Sequence, residues 1–146
     1  MKRQILTLLG VALLTAADTP SDEASKKDLE RMQGDWACDS YAVDGMKLPD
    51  DDAQAYFRTI QGDIYAVSRF KKVLGKGTFK LDASKKPRAI DALPAGRDKP
   101  LLGIYEFDGE KMKLCFASPG KDRPTAFTSE TGSGHTLTVW VREKKQ

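Results

Sequence analysis

From Gly34 to Arg142 the chain reads as a succession of short β-rich runs separated by turn residues, with no amphipathic helix between them. The runs are Asp35–Val43, Ala55–Gln61, Ile64–Phe70, Leu74–Leu81, Pro87–Leu93, Leu101–Phe107, Lys111–Ala117 and Thr136–Arg142. Asp44-Gly45, Gln61-Gly62-Asp63 and Asp108-Gly109 mark tight turns. Parallel strands need long crossovers, so runs joined this closely predict an antiparallel meander. About eight such strands leave two exposed edges unless the sheet closes on itself. The expected fold is therefore all-β, an up-and-down antiparallel barrel, which a chain of 146 residues fills as one domain.

Alternation along the runs nominates the barrel interior. Met112, Leu114 and Phe116 alternate with Lys111, Lys113 and Cys115, and Leu137, Val139 and Val141 with Thr136, Thr138 and Trp140. The candidate inward set, and hence the candidate ligand-binding set, is Trp36, Cys38, Phe79, Leu81, Met112, Leu114 and Phe116, extended by Leu137, Val139 and Val141. A filled apolar core would carry the same pattern as a hollow apolar cup, so both readings stay open. Ahead of the strands, Ser25–Gln33 has the spacing of two helical turns, with Ser25 as cap and Gly34 as stop. Residues 18–28 read as a polar linker, and 29–146 as the barrel domain. Two longer connections, 44–55 and 118–135, are candidate rim loops, the first with a short Asp-capped helix.

The net charge of +3 has a local origin. Residues 1–17 hold Lys2 and Arg3, an apolar stretch from Ile5 to Leu14, and the small residues Ala16 and Ala17. That is the layout of a secretory signal, too short to span a bilayer comfortably and followed by no cysteine for lipid attachment. An uncleaved anchor or a buried N-terminal helix are the alternatives. Export to the periplasm, cell envelope or medium is the expectation, with no membrane span in the mature chain. Without residues 1–17 the chain keeps 22 basic and 21 acidic side chains, which removes the main support for nucleic-acid binding.

At Gly34-Asp35-Trp36 the sequence carries a Gly-x-Trp that opens the first strand after a helical turn, which resembles the lipocalin signature. The longer ordered set Val43-Asp44-Gly45, Leu48-Pro49, Gly75-Lys76-Gly77-Thr78-Phe79-Lys80-Leu81-Asp82, Ala89-Ile90-Asp91, Leu102-Gly103-Ile104-Tyr105-Glu106, Leu114-Cys115-Phe116-Ala117, Arg123-Pro124-Thr125 and Gly132-Ser133-Gly134-His135-Thr136-Leu137 resembles an uncharacterised lipocalin-like domain family expanded in planctomycete bacteria. The resemblance implies a secreted or envelope-associated barrel whose floor is plugged by Gly34 and Trp36, with Arg142 packed across the ring. It brings no catalytic or ligand residues, and Cys38 departs from the small residue expected at its position.

The remaining chemistry has simple readings. His135 with Cys38 or Cys115 has the residue types of a nucleophile and base but no third orienting group, and a turn histidine bonded through its backbone explains it. A closed meander puts the last strand between the two cysteines, which predicts separate thiols although export would permit a disulfide. Asp50-Asp51-Asp52 lacks the alternation of a calcium loop and fits an acidic helix start. Gly75-Lys76-Gly77 precedes no helix and reads as a bend or close approach, not a phosphate loop. Lys71, Lys72, Lys76 and Lys80 near Tyr65, Phe70 and Phe79 have the composition of a single-strand-binding face, against which export and neutrality argue. The reading assigns no catalytic residue, metal or cofactor. It expects a non-enzymatic barrel that takes a small hydrophobic or amphipathic ligand, or alternatively a filled barrel acting as an interaction or structural module of the envelope.

Overall fold

The computed structural model describes residues 19–144, so the signal read over residues 1–17 lies outside it. A helix, α1 (Pro20–Met32), precedes strands β1 (Gly34–Val43), β2 (Met46–Lys47), β3 (Tyr56–Gln61), β4 (Ile64–Arg69), β5 (Lys72–Asp82), β6 (Ala89–Pro94), β7 (Leu101–Asp108), β8 (Lys111–Phe116) and β9 (Thr136–Arg142). A one-turn helix, α2 (Asp50–Ala53), lies between β2 and β3. Each strand from β3 pairs antiparallel with its successor, and β9 returns to pair with β1. The result is a closed eight-stranded antiparallel barrel of lipocalin-like form, with β2 as a ninth strand folded back on the end of β1.

α1 begins five residues before the expected cap. Thr19 and Asp22 form a capping box around Pro20 at the first turn, so residues read as linker are helical. Ser25 lies inside the helix, where its hydroxyl donates to the Ser21 carbonyl and accepts from the Ala83 amide at 3.0 Å. α2 is likewise not Asp-capped: Pro49 occupies the cap, with no side-chain cap bond. Its Ala53 is fully buried, closing the wall where β1 leaves β3 for β2.

Helix α1 lies against the closed end. Met32 is buried there, its carbonyl accepting from Trp36 Nε1 at 2.8 Å. Asp28, also buried, accepts from Tyr105 Oη and from Arg88, each at 2.6 Å. Above them Trp36, Ile60, Phe79, Ile90, Tyr105, Met112 and Leu114 form one packed core. Two bulges bend the wall. The first, between Cys38 and Ser40, sets Asp39 outside the register. It returns Tyr41 and Val43 to the inward face occupied by Trp36 and Cys38, where an unbroken strand would have aimed Ser40 and Ala42. The second, opposite Val67 and Ser68, leaves Leu74 exposed. At Gly77 an added Cβ would collide with the Leu93 carbonyl, so this glycine marks a close strand approach.

Candidate functional site

Pairing carries the inward face from strand to strand. Trp36 stands opposite both Arg58 and Arg142, Cys38 opposite Trp140, and Tyr41 opposite Thr138. Hence Thr136, Thr138 and Trp140 point inward on β9, while Leu137, Val139 and Val141 lie on the outer face. This corrects the inward assignment made from sequence. From Thr136 to Val141 both faces of β9 are at least half-covered, so apolarity did not distinguish them. Thr138 and Trp140 are the buried members, and Trp140 Nε1 donates to Thr138 Oγ1 at 2.8 Å.

The barrel is filled in its closed half and hollow in the other. A cup of about 450 Å3 opens above the core, lined by Tyr41, Arg58, Tyr65, Val67, Phe116 and Trp140, among others. Pro94, Arg97, Pro119 and Gly134 reach its rim. Of the seven candidate ligand-binding residues, only Phe116 lines this cup. Trp36, Cys38, Phe79, Met112 and Leu114 belong to the packed core, and Leu81 packs against it. The floor residues are grouped at the closed end, where Arg142 Cζ lies 3.9 Å from the Trp36 ring centroid. Its guanidinium donates to the carbonyls of Gln33 and Arg31. Gly34 has a φ of 109°, and a Cβ there would meet Arg142 Nη1 at 3.0 Å, so glycine suits both the backbone and the stacked cation.

At the base of the cup stands a residue that sequence reasoning missed, Arg58. Its guanidinium lies 5.0 Å from the Trp140 ring and 5.3 Å from the Tyr65 ring. Its Nε is buried and donates to no group among the described residues. Burial lowers its pKa from 12.5 to about 10, opposed by interactions with Tyr65, Tyr41 and Cys38. Around it, burial raises the pKa of the phenols of Tyr41 and Tyr65. Among the described residues lining the cup, two are arginines and none is Asp or Glu. The discoverable signal was one cation sharing a strand face with Tyr56 and Ile60 on β3. Phe57, on the opposite face, made the strand's inward side ambiguous.

The loops divide their roles. Segment 44–55 is tied to 118–135 near the mouth through Gly134 N–H donating to Asp44 at 2.8 Å and Asp44 N–H to the His135 carbonyl at 3.0 Å. The rest of 118–135 lies over the outer face. There Arg123 donates to the carbonyls of Ile90 and Gly103, and Cys115 to that of Thr128 at 3.5 Å. Cys115 is thus outward in register yet buried beneath the loop. Cys38 is buried inside the barrel, and both thiols are free. Burial, followed by the Asp39 charge, pushes Cys38 up to about 12, the opposite of an activated thiolate. His135 is held through its backbone, donating to Ser133 Oγ and accepting from Ser129.

Tyr65 and Phe79 turn inward, which dissolves the aromatic-basic face suggested by the sequence. Phe70 remains 74% exposed at the β4–β5 turn, near exposed Val73 and Leu74. Among the described residues no three His, Cys, Asp or Glu side chains converge as metal ligands, and no helix is long and apolar enough to cross a membrane. The chain matches no known protein family, no curated protein and no solved structure.

Proposed function

We propose that this is an exported lipocalin-like domain whose cup receives a small amphipathic molecule, with no chemistry performed on it. The observation that carries the reading is the half-hollow interior. A cup of about 450 Å3 sits above a packed floor, within the ~300–1,000 Å3 range of small-molecule sites. Val67, Phe116 and Trp140 offer an apolar wall for a tail, and Arg58 and the tyrosines a polar base. Burial of apolar area supplies affinity at about 25 cal/mol per Å2. Native mass spectrometry of the protein purified from its source, followed by lipid extraction, tests this. The expected result is a stoichiometric small-molecule adduct. A clean apo mass, with no Trp140 fluorescence response to a panel of amphipaths, overturns it.

A second reading, an interaction module of the envelope, draws on the exposed Phe70, Val73 and Leu74 at the β4–β5 turn. Phe70 and Lys71 both have positive φ, at 50° and 62°, where Asn-Gly is the favoured pair. An apolar turn held in a costly conformation fits a contact surface. If Phe70→Asn raises stability and leaves pull-down partners unchanged, this reading falls.

A further inference from the structure

We propose that the cup selects a carboxylate-headed amphipath, with Arg58 as the residue that receives the head. The inference rests on the cup being a ligand site and adds the chemical class of its ligand. The observations converge on Arg58 and the side chains around it.

Arg58 comes from the middle of β3, opposite Trp36, so its stem rises from the packed floor and its head reaches the cup. No carboxylate pairs with it among the described residues, although Arg69, the next inward cation along the β3–β4 pair, has Asp52 at 3.6 Å. Removing a guanidinium from water without a counter-charge is unfavourable, and proteins ordinarily pair such groups. Its Nε is buried with no acceptor among the described residues, a feature it shares with Arg69, so what sets Arg58 apart is the missing carboxylate. The ring faces of Trp140 and Tyr65 hold the guanidinium in place, and stacking leaves its edge free to donate.

The rest of the lining has the matching sign. Arg97 stands at the rim and, among the described residues lining the cup, none is Asp or Glu; the acid near the mouth, Asp44, is engaged by the Gly134 N–H. Tyr41 is aimed inward only because of the bulge at Asp39, and this brings a phenol into the same base. A planar guanidinium fork matches a carboxylate with two parallel N–H···O bonds, while a primary alcohol can accept only part of that set. An ammonium head would face Arg58 with like charge. Val67, opposite Arg58, and Phe116 supply apolar lining among the hydroxyls of Ser118, Thr136 and Thr138, and the acid's tail runs along it toward the mouth.

The test uses three amphipaths with one tail, namely decanoate, decanol and decylammonium, below their micellar concentrations. Binding to the purified protein at pH 7 is followed by calorimetry and Trp140 fluorescence. The expected order places decanoate at least tenfold tighter than decanol, with decylammonium weakest. Arg58→Met should bring decanoate down to the level of decanol, with decanol losing far less than decanoate does, and Arg58→Lys should restore part of the preference. Circular dichroism of each variant confirms the barrel. If decanoate and decanol bind the parent protein equally, or Arg58→Met keeps the preference, the carboxylate assignment is overturned while the cup remains a ligand site. If none of the three binds, both fail.

Discussion

Arg58→Met is expected to stabilise the protein while abolishing selection of an acid. Burial that lowers the guanidinium pKa from 12.5 to about 10 corresponds to roughly 3 kcal/mol spent holding the charge in the folded state. The side chain is partly open to the cup, which reduces that figure. Stacking on Trp140 at 5.0 Å and Tyr65 at 5.3 Å returns about 0.5–1 kcal/mol each. Methionine keeps the apolar stem but not the head that lies over the two rings. The net expectation is a gain of about 1–2 kcal/mol, at the low end of the roughly 1–4 kcal/mol seen when buried ions become apolar. In a domain of this size that raises Tm by about 3–8 °C. Urea denaturation at pH 7, followed by tryptophan fluorescence and circular dichroism, measures it. Arg97→Met, at the rim, is the control and should move stability by less than about 0.5 kcal/mol. If Arg58→Met instead loses more than about 1 kcal/mol, the guanidinium is a structural member of the core and the reasoning fails.

Other expectations are direct. Trp36→Ala removes a ring that is 2% exposed and stacked by Arg142, and should lose about 3–5 kcal/mol in the same denaturation experiment; a loss below about 1 kcal/mol would show that the ring does not seal the floor. Since burial raises both thiol pKa values, Cys38 and Cys115 should resist alkylation at pH 8 in the folded protein, whereas two labels appear by mass after unfolding without reductant. Acid binding should hold steady from about pH 6 to 9. It should weaken as pH rises through about 10, where the depressed Arg58 pKa lets the head lose its proton and charge; calorimetry with decanoate reads this, and a flat profile to pH 11 would contradict it.

The wall of the barrel was legible because turn residues and alternation are local. The pairs Gln61-Ile64 and Asp108-Lys111 close where Gly62 and Gly109 predict. The interior was harder to read. On β8, charged Lys111 and Lys113 oppose apolar neighbours, and the inward face followed directly. On β9, both faces carry large side chains because loop 118–135 covers the outside, so period-two patterning favoured the aliphatic set over Thr138 and Trp140. The cup was illegible for a related reason. Tyr41 enters it through a bulge that no turn residue announces, and Arg58 shares its strand with Phe57 and Ile60. Which of those faces the axis depends on register with β1, a non-local fact.

Strand β9 is both the last stave and the strand that carries Arg142, so side wall and floor share one fastening. Arg142 reaches back 111 residues to the Arg31 carbonyl. Bringing β1 and β9 together therefore closes a long loop, an entropic expense with no reward until both strands are in hand. Closure is expected to be a late, concerted step of folding, with Trp36 uncovered and no cup available before it. A single nick within 118–135 that released β9 would unseal the barrel from the side and from below in the same event.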